Sequence, residues 1–271
     1  MLTGDDPLQA IRVVVFGSGP DLNQDVREFL ARLEQHPEIE LLGAFCQADG
    51  QSLGAVFQDL RRRRGLLALP LFCVWLGRKF LRRIQHPGQA AGLNRVLQQI
   101  APRIHFVRDI HHPLVLEQVR KLQPDLGLIY GSPILKPALF EIPRLGTLGI
   151  HHGKLPEYRG NKTAFWAMVN GEPGAGVTIQ KVNAGLDTGS ILRQGEVHIG
   201  KKTYPRVMRE LEALGLELYI QSILEVKHGT AVLVPQPARQ GRLYRNPKPG
   251  DYLVLFRKQI QTWIGGEQQQ G

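Results

Sequence analysis

Short apolar runs alternate with amphipathic segments through the first part of the chain. Residues 11–16 (IRVVVF) form an apolar, β-branched run that ends at a glycine, which is typical of a buried parallel strand. Residues 22–33 carry apolar side chains at helical spacing, and residues 39–46 predict a second strand. A strand, a turn, a helix and a second strand in this order begin a doubly wound sheet.

The same alternation continues along the rest of the chain. The further predicted elements are strands at 104–107, 125–130, 146–151 and 176–182, helices at 114–122 and 163–170, an amphipathic helix within 205–227, and short strands at 232–234 and 252–256. The pattern predicts an α/β fold with a Rossmann-like, doubly wound, mostly parallel sheet and a short C-terminal extension. We expect a domain over residues 1–200, with an insert near 60–100, and a C-terminal part, 201–271, made of a helix and short strands.

The insert combines positive charge with an apolar stretch. Four arginines at 61–64 precede an almost wholly apolar run at 65–77, and four more cations follow by residue 83. The run is shorter than the ~20 residues that span a bilayer, and Pro70 interrupts it. Residues 65–83 are compatible with peripheral contact to an anionic membrane. Packing on the sheet, or against a second copy of the chain in a homodimer, is the favoured interpretation.

Composition predicts a folded, cationic protein in a reducing compartment. Hydrophobic residues make up 42% and charged residues 21% of the 271 positions, which suits a packed core. The net charge of +10 favours anionic partners such as phosphorylated or nucleotide-linked substrates, although it is equally compatible with an arginine-rich surface of no special function. The first ten residues lack the apolar run of a secretory signal. Cys46 and Cys73 are not spaced for a disulfide or zinc framework, so we expect a cytoplasmic protein without a metal.

The most informative stretch is 149–187, GIHHGKLPEYRGNKTAFWAMVNGEPGAGVTIQKVNAGLD. His151 stands at the end of a predicted strand, where open α/β sheets collect their ligands, and LPEYRG follows at 155–160. Asp187 lies in a GLDTG loop. A histidine and an aspartate that meet in one cleft can carry out proton transfer at neutral pH. A histidine at a strand end is also often a structural hydrogen-bonding residue.

These motifs resemble the active-site segment of the 10-formyltetrahydrofolate-dependent formyltransferases, which include glycinamide ribonucleotide, methionyl-tRNA and amino-sugar formyltransferases. The family pattern is Asn-x-His-x-x-x-Leu-Pro-x-Tyr-Arg-Gly, then Gly-Val-Thr, then Gly-Leu-Asp-Thr-Gly. The resemblance implies 10-formyltetrahydrofolate as co-substrate and no metal. It also implies that His151 polarises the formyl oxygen and that Asp187 holds the histidine or relays protons through water.

Position 149 departs from the family pattern, because Gly149 stands where the family has asparagine. That asparagine donates an amide hydrogen bond to the formyl oxygen, and loss of one such donor typically slows a reaction ~10²–10³-fold. His152, Asn161, Lys162 or a water beside Gly149 are candidates to fill the gap. The alternative is a catalytically impaired relative that binds a related molecule.

The resemblance also implies binding residues. Two loops would hold the pterin, and two further segments would bind the substrate. The predicted pterin walls are Ser132, Ile134 and Leu135 on one side and Val182, Asn183 and Ala184 on the other. The predicted substrate-binding residues are Gly17, Ser18 and Gly19, which match a phosphate-handling first loop, and Tyr158, Arg159, Asn161 and Lys162.

Structural alternatives exist for each of these assignments. The glycines at 17 and 19 also suit a plain tight turn, and Ile134 and Leu135 also suit hydrophobic filling of the core. Tyr158 and Arg159 also suit turn packing. Asn161 or Thr163 is also a suitable N-cap for the helix that follows.

We therefore predict an N-formyltransferase that acts on a small anionic amine, with an amino-sugar nucleotide favoured by elimination. A catalytically impaired formyltransferase-like binding protein is the alternative. A methionyl-tRNA formyltransferase-like function is the third hypothesis. We do not expect tRNA as the partner, because the chain after residue 192 is too short for the C-terminal RNA-binding barrel of those enzymes.

Overall fold

A computed structural model describes residues 9–19, 22, 24–48, 90–237 and 241–265, together with isolated positions between 61 and 73. Apart from those isolated positions, the predicted insert segment 61–83 lies outside these residues. Its interpretations as a packed helix, a homodimer interface or a membrane contact therefore stay predictions. Within the part of the chain that the structure describes, no helix is long and apolar enough to cross a membrane.

Strands and helices alternate along the described chain. The elements are β1 Ile11–Ser18, α1 Gln24–Gln35, β2 Ile39–Gln47, α2 Ala90–Ile100, β3 Ile104–Val107, α3 Pro113–Leu122, β4 Leu126–Ile129, α4 Pro137–Phe140, β5 Thr147–His151, β6 Tyr158–Gly160, α5 Thr163–Asn170, β7 Gly174–Lys181, β8 Ile191–His198, α6 Tyr204–Lys227, β9 Arg242–Tyr244 and α7 Pro249–Gly265.

The central sheet has seven strands in the order β3-β2-β1-β4-β5-β7-β8. The first five strands of this order are parallel, whereas β7 is antiparallel to β5 and β8 is antiparallel to β7. This confirms the predicted α/β fold with a mostly parallel sheet. The strand order reverses at β1, between β2 and β4, and such a switch point opens a crevice at the carboxyl ends of the strands. A separate two-stranded sheet joins β6 to β9.

The two faces of the sheet bury different side chains of the same strands. Val13 and Val15 of β1 face the layer made by α1 and α6. Val14 and Phe16 face the opposite layer, which includes α3 and α4. Because successive strand side chains point to opposite faces, a continuous apolar run in β1 is what a strand buried on both faces requires.

The C-terminal part differs from the prediction. The segment expected to be a strand at 252–256 lies inside α7, so that prediction was wrong. Pro249 occupies the first helical position, and the Asp251 carboxylate accepts a hydrogen bond from the Lys248 backbone N–H at 2.6 Å. Both features start a helix. The strand expected at 232–234 is a single bridge between Val234 and Ile191.

Tyr219 of α6 connects the helix layer to the centre of the sheet by hydrogen bonds and packing. The side chain is fully buried, and its hydroxyl lies 2.8 Å from the Leu148 carbonyl oxygen and 3.1 Å from the Ile129 carbonyl oxygen. Its ring stacks on Phe29 of α1. The residue therefore links β4 and β5 just before β5 ends at His151.

We expect Tyr219→Phe to lower the free energy of unfolding by about 1–2 kcal/mol, because the buried carbonyl oxygens of Leu148 and Ile129 lose the hydroxyl that contacts them. Urea denaturation measures the change. Tyr252→Phe is the matched control, since Tyr252 is 49% exposed, and it should change stability by less than about 0.5 kcal/mol. Equal effects of the two substitutions would contradict the anchoring role of Tyr219.

Candidate active site

The structure brings His151 and Asp187 together at the carboxyl edge of the sheet. His151 is the last residue of β5, and Asp187 lies in the loop between β7 and β8. His151 Nδ1 is 3.5 Å from Asp187 Oδ1, and the two side chains are only 9% and 15% exposed. The antiparallel pairing of β5 with β7 aligns the end of one strand with the start of the other, and the loop after β7 then returns to His151. A pair this shielded from water interacts more strongly than a surface pair.

His151 is held in one orientation by the turn that follows it. Its Nε2 lies 2.7 Å from the Tyr158 carbonyl oxygen. Because a carbonyl oxygen can only accept, Nε2 carries the hydrogen of the neutral ring, and Nδ1 presents its lone pair towards Asp187. Burial lowers the pKa of His151 below its ordinary value of 6.5, and the nearby Asp187 carboxylate opposes that shift only partly. The ring is therefore neutral at neutral pH and can accept a proton at Nδ1.

The backbone of Asp187 is in the left-handed region, with φ of 53°. Aspartate and asparagine tolerate this conformation better than most residues. The Gly160 backbone N–H donates to Asp187 Oδ2 at 2.8 Å, and the Gln180 amide Nε2 lies 3.4 Å from Oδ1. Gln236 Nε2 donates to the Asp187 carbonyl oxygen at 3.2 Å. Both the carboxylate and its backbone are thus fixed from separate parts of the chain.

Tyr158 contributes its backbone to the site and its side chain to packing. The ring is 8% exposed and stacks on Tyr244 of β9, with centroids 5.0 Å apart. The hydroxyl donates to Glu172 at 2.7 Å and accepts from Asn170 Nδ2 at 2.9 Å. Its predicted substrate contact is thus not supported by the side-chain position, whereas the alternative of turn packing is.

The other predicted substrate residues of this turn are more accessible. Asn161 and Lys162 are exposed, and Arg159 is half-buried, with no hydrogen-bond partner for its Nε among the described residues. Lys162 is the N-cap of α5, in the left-handed region, and no side chain caps the helix. The prediction that Asn161 or Thr163 caps this helix is therefore wrong. The Thr163 hydroxyl instead donates to the His152 carbonyl oxygen.

His152 points away from Asp187 and towards α6. Its Nε2 lies 3.2 Å from Glu212 Oε2, and the Tyr130 hydroxyl donates to the same oxygen at 2.8 Å. Burial raises the pKa of Glu212, but the contacts with His152 and Tyr130 lower it by more. The pKa of Glu212 therefore lies below its usual value. The His152 ring thus faces Glu212 and not Asp187, and this orientation does not favour it as the replacement for the amide missing at position 149.

The predicted pterin-binding residues separate into buried and exposed groups. Leu135 is 7% exposed and packs into the core, as the structural alternative for it expected, whereas Ile134 is 75% exposed. Ser132 is half-buried, and its hydroxyl donates to the Pro133 carbonyl oxygen at 2.7 Å. Asn183 and Ala184 are exposed, and the Asn183 carbonyl Oδ1 accepts from the Gly185 backbone and the Thr188 hydroxyl.

Val182 and Gly149 meet on the same face of the sheet. A Cβ atom at position 149 would lie 3.3 Å from Val182 Cγ2, which is tighter than an ordinary contact. A longer side chain at position 149 would therefore require Val182 to move. At the neighbouring switch point, the Ser18 hydroxyl donates to the Gly131 carbonyl oxygen, and Gly19 has φ of 117°. Gly17 and Ser18 are thus the last two residues of β1, paired with β2 and next to the end of β4, and Gly19 follows the strand, so the alternative of a plain tight turn is wrong for Gly17 and Ser18.

Two functional candidates were missed by sequence reasoning, namely Gln180 and Gln236. Gln180 is a long polar residue in a largely apolar strand, and buried polar side chains of this kind need partners. That irregularity was the available signal. Gln236 follows α6 on an irregular segment, where no periodicity marks it. Among the described residues, no group of three or more His, Cys, Asp and Glu side chains is arranged to bind a metal ion.

Comparison with known proteins identifies the class to which this fold and site belong. Residues 84–223, a little over half of the chain, match the family described as formyl transferase. The chain belongs to the formyl transferase family, which confirms the resemblance of its motifs.

The most similar relatives include methionyl-tRNA formyltransferases. The protein of Chloroflexus aggregans is 37% identical over 181 residues, covering 62% of this chain and 58% of that protein. The protein of Ruminiclostridium cellulolyticum is 37% identical over 130 residues, covering 47% of this chain and 41% of that protein. The chain thus spans about half the length of the curated relatives that it matches.

Solved structures of other family members share the fold. Glycinamide ribonucleotide transformylase 1 from Symbiobacterium toebii superposes with a TM-score of 0.58 at 17% identity, covering 87% of this chain and 95% of that one. An N-formyltransferase from Helicobacter canadensis, in complex with folinic acid and dTDP-3-aminofucose, gives 0.55 at 16% identity, covering 95% and 82%. The likeness confirms the Rossmann-like fold.

Proposed function

We propose that this protein transfers a formyl group from 10-formyltetrahydrofolate to the amine of a small anionic molecule. The single observation that carries the proposal is the buried His151–Asp187 pair at the carboxyl edge of the sheet, in a chain of the formyl transferase family. Proton transfer is the chemistry that such a pair can supply.

The proposed reaction begins with attack of the acceptor nitrogen on the formyl carbon. The C=O π electrons move to the formyl oxygen, and the amine proton passes to His151 Nδ1. The resulting imidazolium is stabilised by the Asp187 carboxylate on one side and the Tyr158 carbonyl on the other. The positive charge of the ring then opposes the negative charge that has developed on the formyl oxygen. Collapse of the intermediate breaks the bond to the folate nitrogen, which receives the proton.

This order of events refines the role expected for His151. Polarisation of the formyl oxygen requires an N–H, but the Nε2–H of the neutral ring is donated to Tyr158. Proton acceptance at Nδ1 therefore comes first, and stabilisation of the oxygen follows from the protonated ring. Asp187 favours the protonated ring throughout, which agrees with the holding role expected for it.

The folate is proposed to lie beside the loop after β4 and the loop after β7. Ile134 offers an exposed apolar side chain, and half-buried Val182 lies against Gly149. A flat heterocycle gains from such apolar surface. The Helicobacter canadensis neighbour, which has the same fold, is described in complex with folinic acid. Leu135 belongs to the core and is not included in this proposed surface.

The acceptor is proposed to be anionic because cations line a groove beside the turn that holds Asp187. A groove of about 420 Å³ is lined by Trp166 and by three cationic residues and one acidic residue, namely Arg242, Arg245, Lys248 and Asp251. This groove adjoins β9, and the Tyr244 carbonyl oxygen of that strand accepts the Asn161 backbone N–H at 2.9 Å. Asn161 follows Gly160, whose own N–H holds Asp187. An amine carried on a phosphate-containing molecule suits this arrangement, and an amino-sugar nucleotide is one such acceptor.

Methionyl-tRNA is the second candidate acceptor, because curated relatives that are about a third identical carry that function in their names. The test is formyl transfer measured by mass spectrometry against amino-sugar nucleotides, phosphorylated amines and methionyl-tRNA. We expect turnover with a small anionic amine. Turnover with methionyl-tRNA alone would replace that acceptor. Folate binding without transfer to any acceptor would instead support a catalytically impaired binding protein.

A further inference from the structure

Gln180 is a buried amide placed directly beside the site. It lies near the end of β7, is 7% exposed, and pairs across the antiparallel ladder with Gly149 of β5. Residues directly opposite in such a pair present their side chains to the same face of the sheet. His151 is two residues beyond Gly149, so its side chain shares that face. β5 therefore offers no side chain at position 149, while β7 offers an amide at the opposite position.

The orientation of the Gln180 amide is fixed by its partners. Its carbonyl Oε1 accepts the Gly189 backbone N–H at 3.1 Å, and Nε2 consequently faces Asp187 Oδ1 at 3.4 Å. The reverse orientation would place two oxygens together and two N–H donors together. Gln236 supports the same loop by donating to the Gly189 carbonyl oxygen at 2.6 Å. The amide thus bridges both sides of the loop that carries Asp187.

Asp187 Oδ1 is contacted from two directions. His151 Nδ1 is 3.5 Å away, and Gln180 Nε2 is 3.4 Å away. The second oxygen, Oδ2, is occupied by the Gly160 N–H. Donors to both oxygens restrict the rotation of the carboxylate. Without Gln180, Oδ1 would keep only the histidine contact, and the Gly160 N–H would be the remaining donor to the carboxylate.

We propose that Gln180 is a positioning residue whose side-chain amide, supplied from β7, holds the Asp187 carboxylate facing His151. The proposal rests on the proposed formyl transfer by this site. Gln180 acts through Asp187 and makes no claimed contact with the reacting atoms. Its loss should therefore affect the chemical step more than the binding of either substrate.

Gln180→Leu tests the contribution to the chemical step. We expect kcat to fall about 10- to 100-fold, the range for a lost hydrogen bond to a charged group, with KM for the formyl folate within about threefold of wild type. Gln118→Leu, at an exposed position of α3, is the matched control and should leave both constants unchanged. An unaltered kcat in Gln180→Leu, or equal changes in kcat and KM, would overturn the proposal.

Gln180→Glu adds a readout that a purely structural role would not move. The glutamate keeps an oxygen for the Gly189 N–H but places a second carboxylate beside Asp187. The additional anion near the pair raises the pKa of His151, so the acid limb of kcat should move to higher pH. An acid limb at the wild-type position would contradict the proposal.

NMR titration of the His151 ring separates failure of this proposal from failure of the proposed function. Absence of formyl transfer by wild type would reject the function, but the His151 titration in Gln180→Glu does not need turnover. We expect that titration to shift to higher pH than in wild type. No shift would show that Gln180 is not coupled to the pair.

Discussion

Replacing His151 with alanine is expected to lower kcat/KM for formyl transfer by about 10²- to 10⁴-fold, the contribution of a positioned general acid or base. The substitution removes the only ring that contacts both Asp187 Oδ1 and the Tyr158 carbonyl oxygen among the described residues. The amine proton then has no acceptor beside the formyl carbon, and the negative oxygen loses the protonated ring. Single-turnover transfer with saturating formyl folate measures the effect on the chemical step.

His198→Ala is the control for this prediction, because His198 is exposed on β8 and contacts neither member of the pair. It should keep the wild-type rate within about twofold. A His151→Ala variant that folds, binds folate and transfers the formyl group at the wild-type rate would show that the reaction does not pass through this histidine. The chemistry would then have to be reassigned to another part of the cleft.

The sheet was predictable because its strands are buried on both faces. β1 has a continuous β-branched run, and the observed element, Ile11–Ser18, extends the predicted one by only two residues. β8 was not predicted, since Ile191–His198 has mostly polar, partly exposed side chains without a clear apolar face. The apolar run inside α7 suited a strand equally well by periodicity alone, and Pro249 was the signal that should have decided for a helix.

The two catalytic candidates of the site were predictable from the sequence, but the hydrogen bonds that orient them were not. His151 and Asp187 lie in motifs, and the structure places them side by side. The turn that orients the ring uses the Tyr158 backbone, and the loop that holds the carboxylate uses Gln180 and Gln236. Backbone donors and partners separated by tens of residues leave no mark in periodicity. The tautomer, and with it the order of the proton steps, therefore depends on the structure.

Asp187→Asn is expected to lower kcat/KM by about 10²- to 10³-fold while leaving the loop in place. Asparagine accepts the left-handed backbone that Asp187 adopts and retains an oxygen for the Gly160 N–H, so the substitution chiefly removes the charge. Without the carboxylate, the imidazolium that forms on proton transfer loses its counter-ion. Glu157→Gln, a carboxylate-to-amide change at an exposed position of the preceding turn, should stay within about twofold of wild type.

The pH–rate profile of Asp187→Asn should differ from that of wild type in a defined direction. Burial lowers the pKa of His151 below 6.5, and Asp187 acts in the opposite direction. The wild-type rate should therefore hold from neutral pH to below 6.5 and then fall as Nδ1 takes up a proton. In Asp187→Asn the raising influence is gone, so the pKa of His151 drops further and the acid limb moves to lower pH. An acid limb that moves to higher pH in this variant, or a rate close to wild type, would show that Asp187 does not act on His151 through its charge.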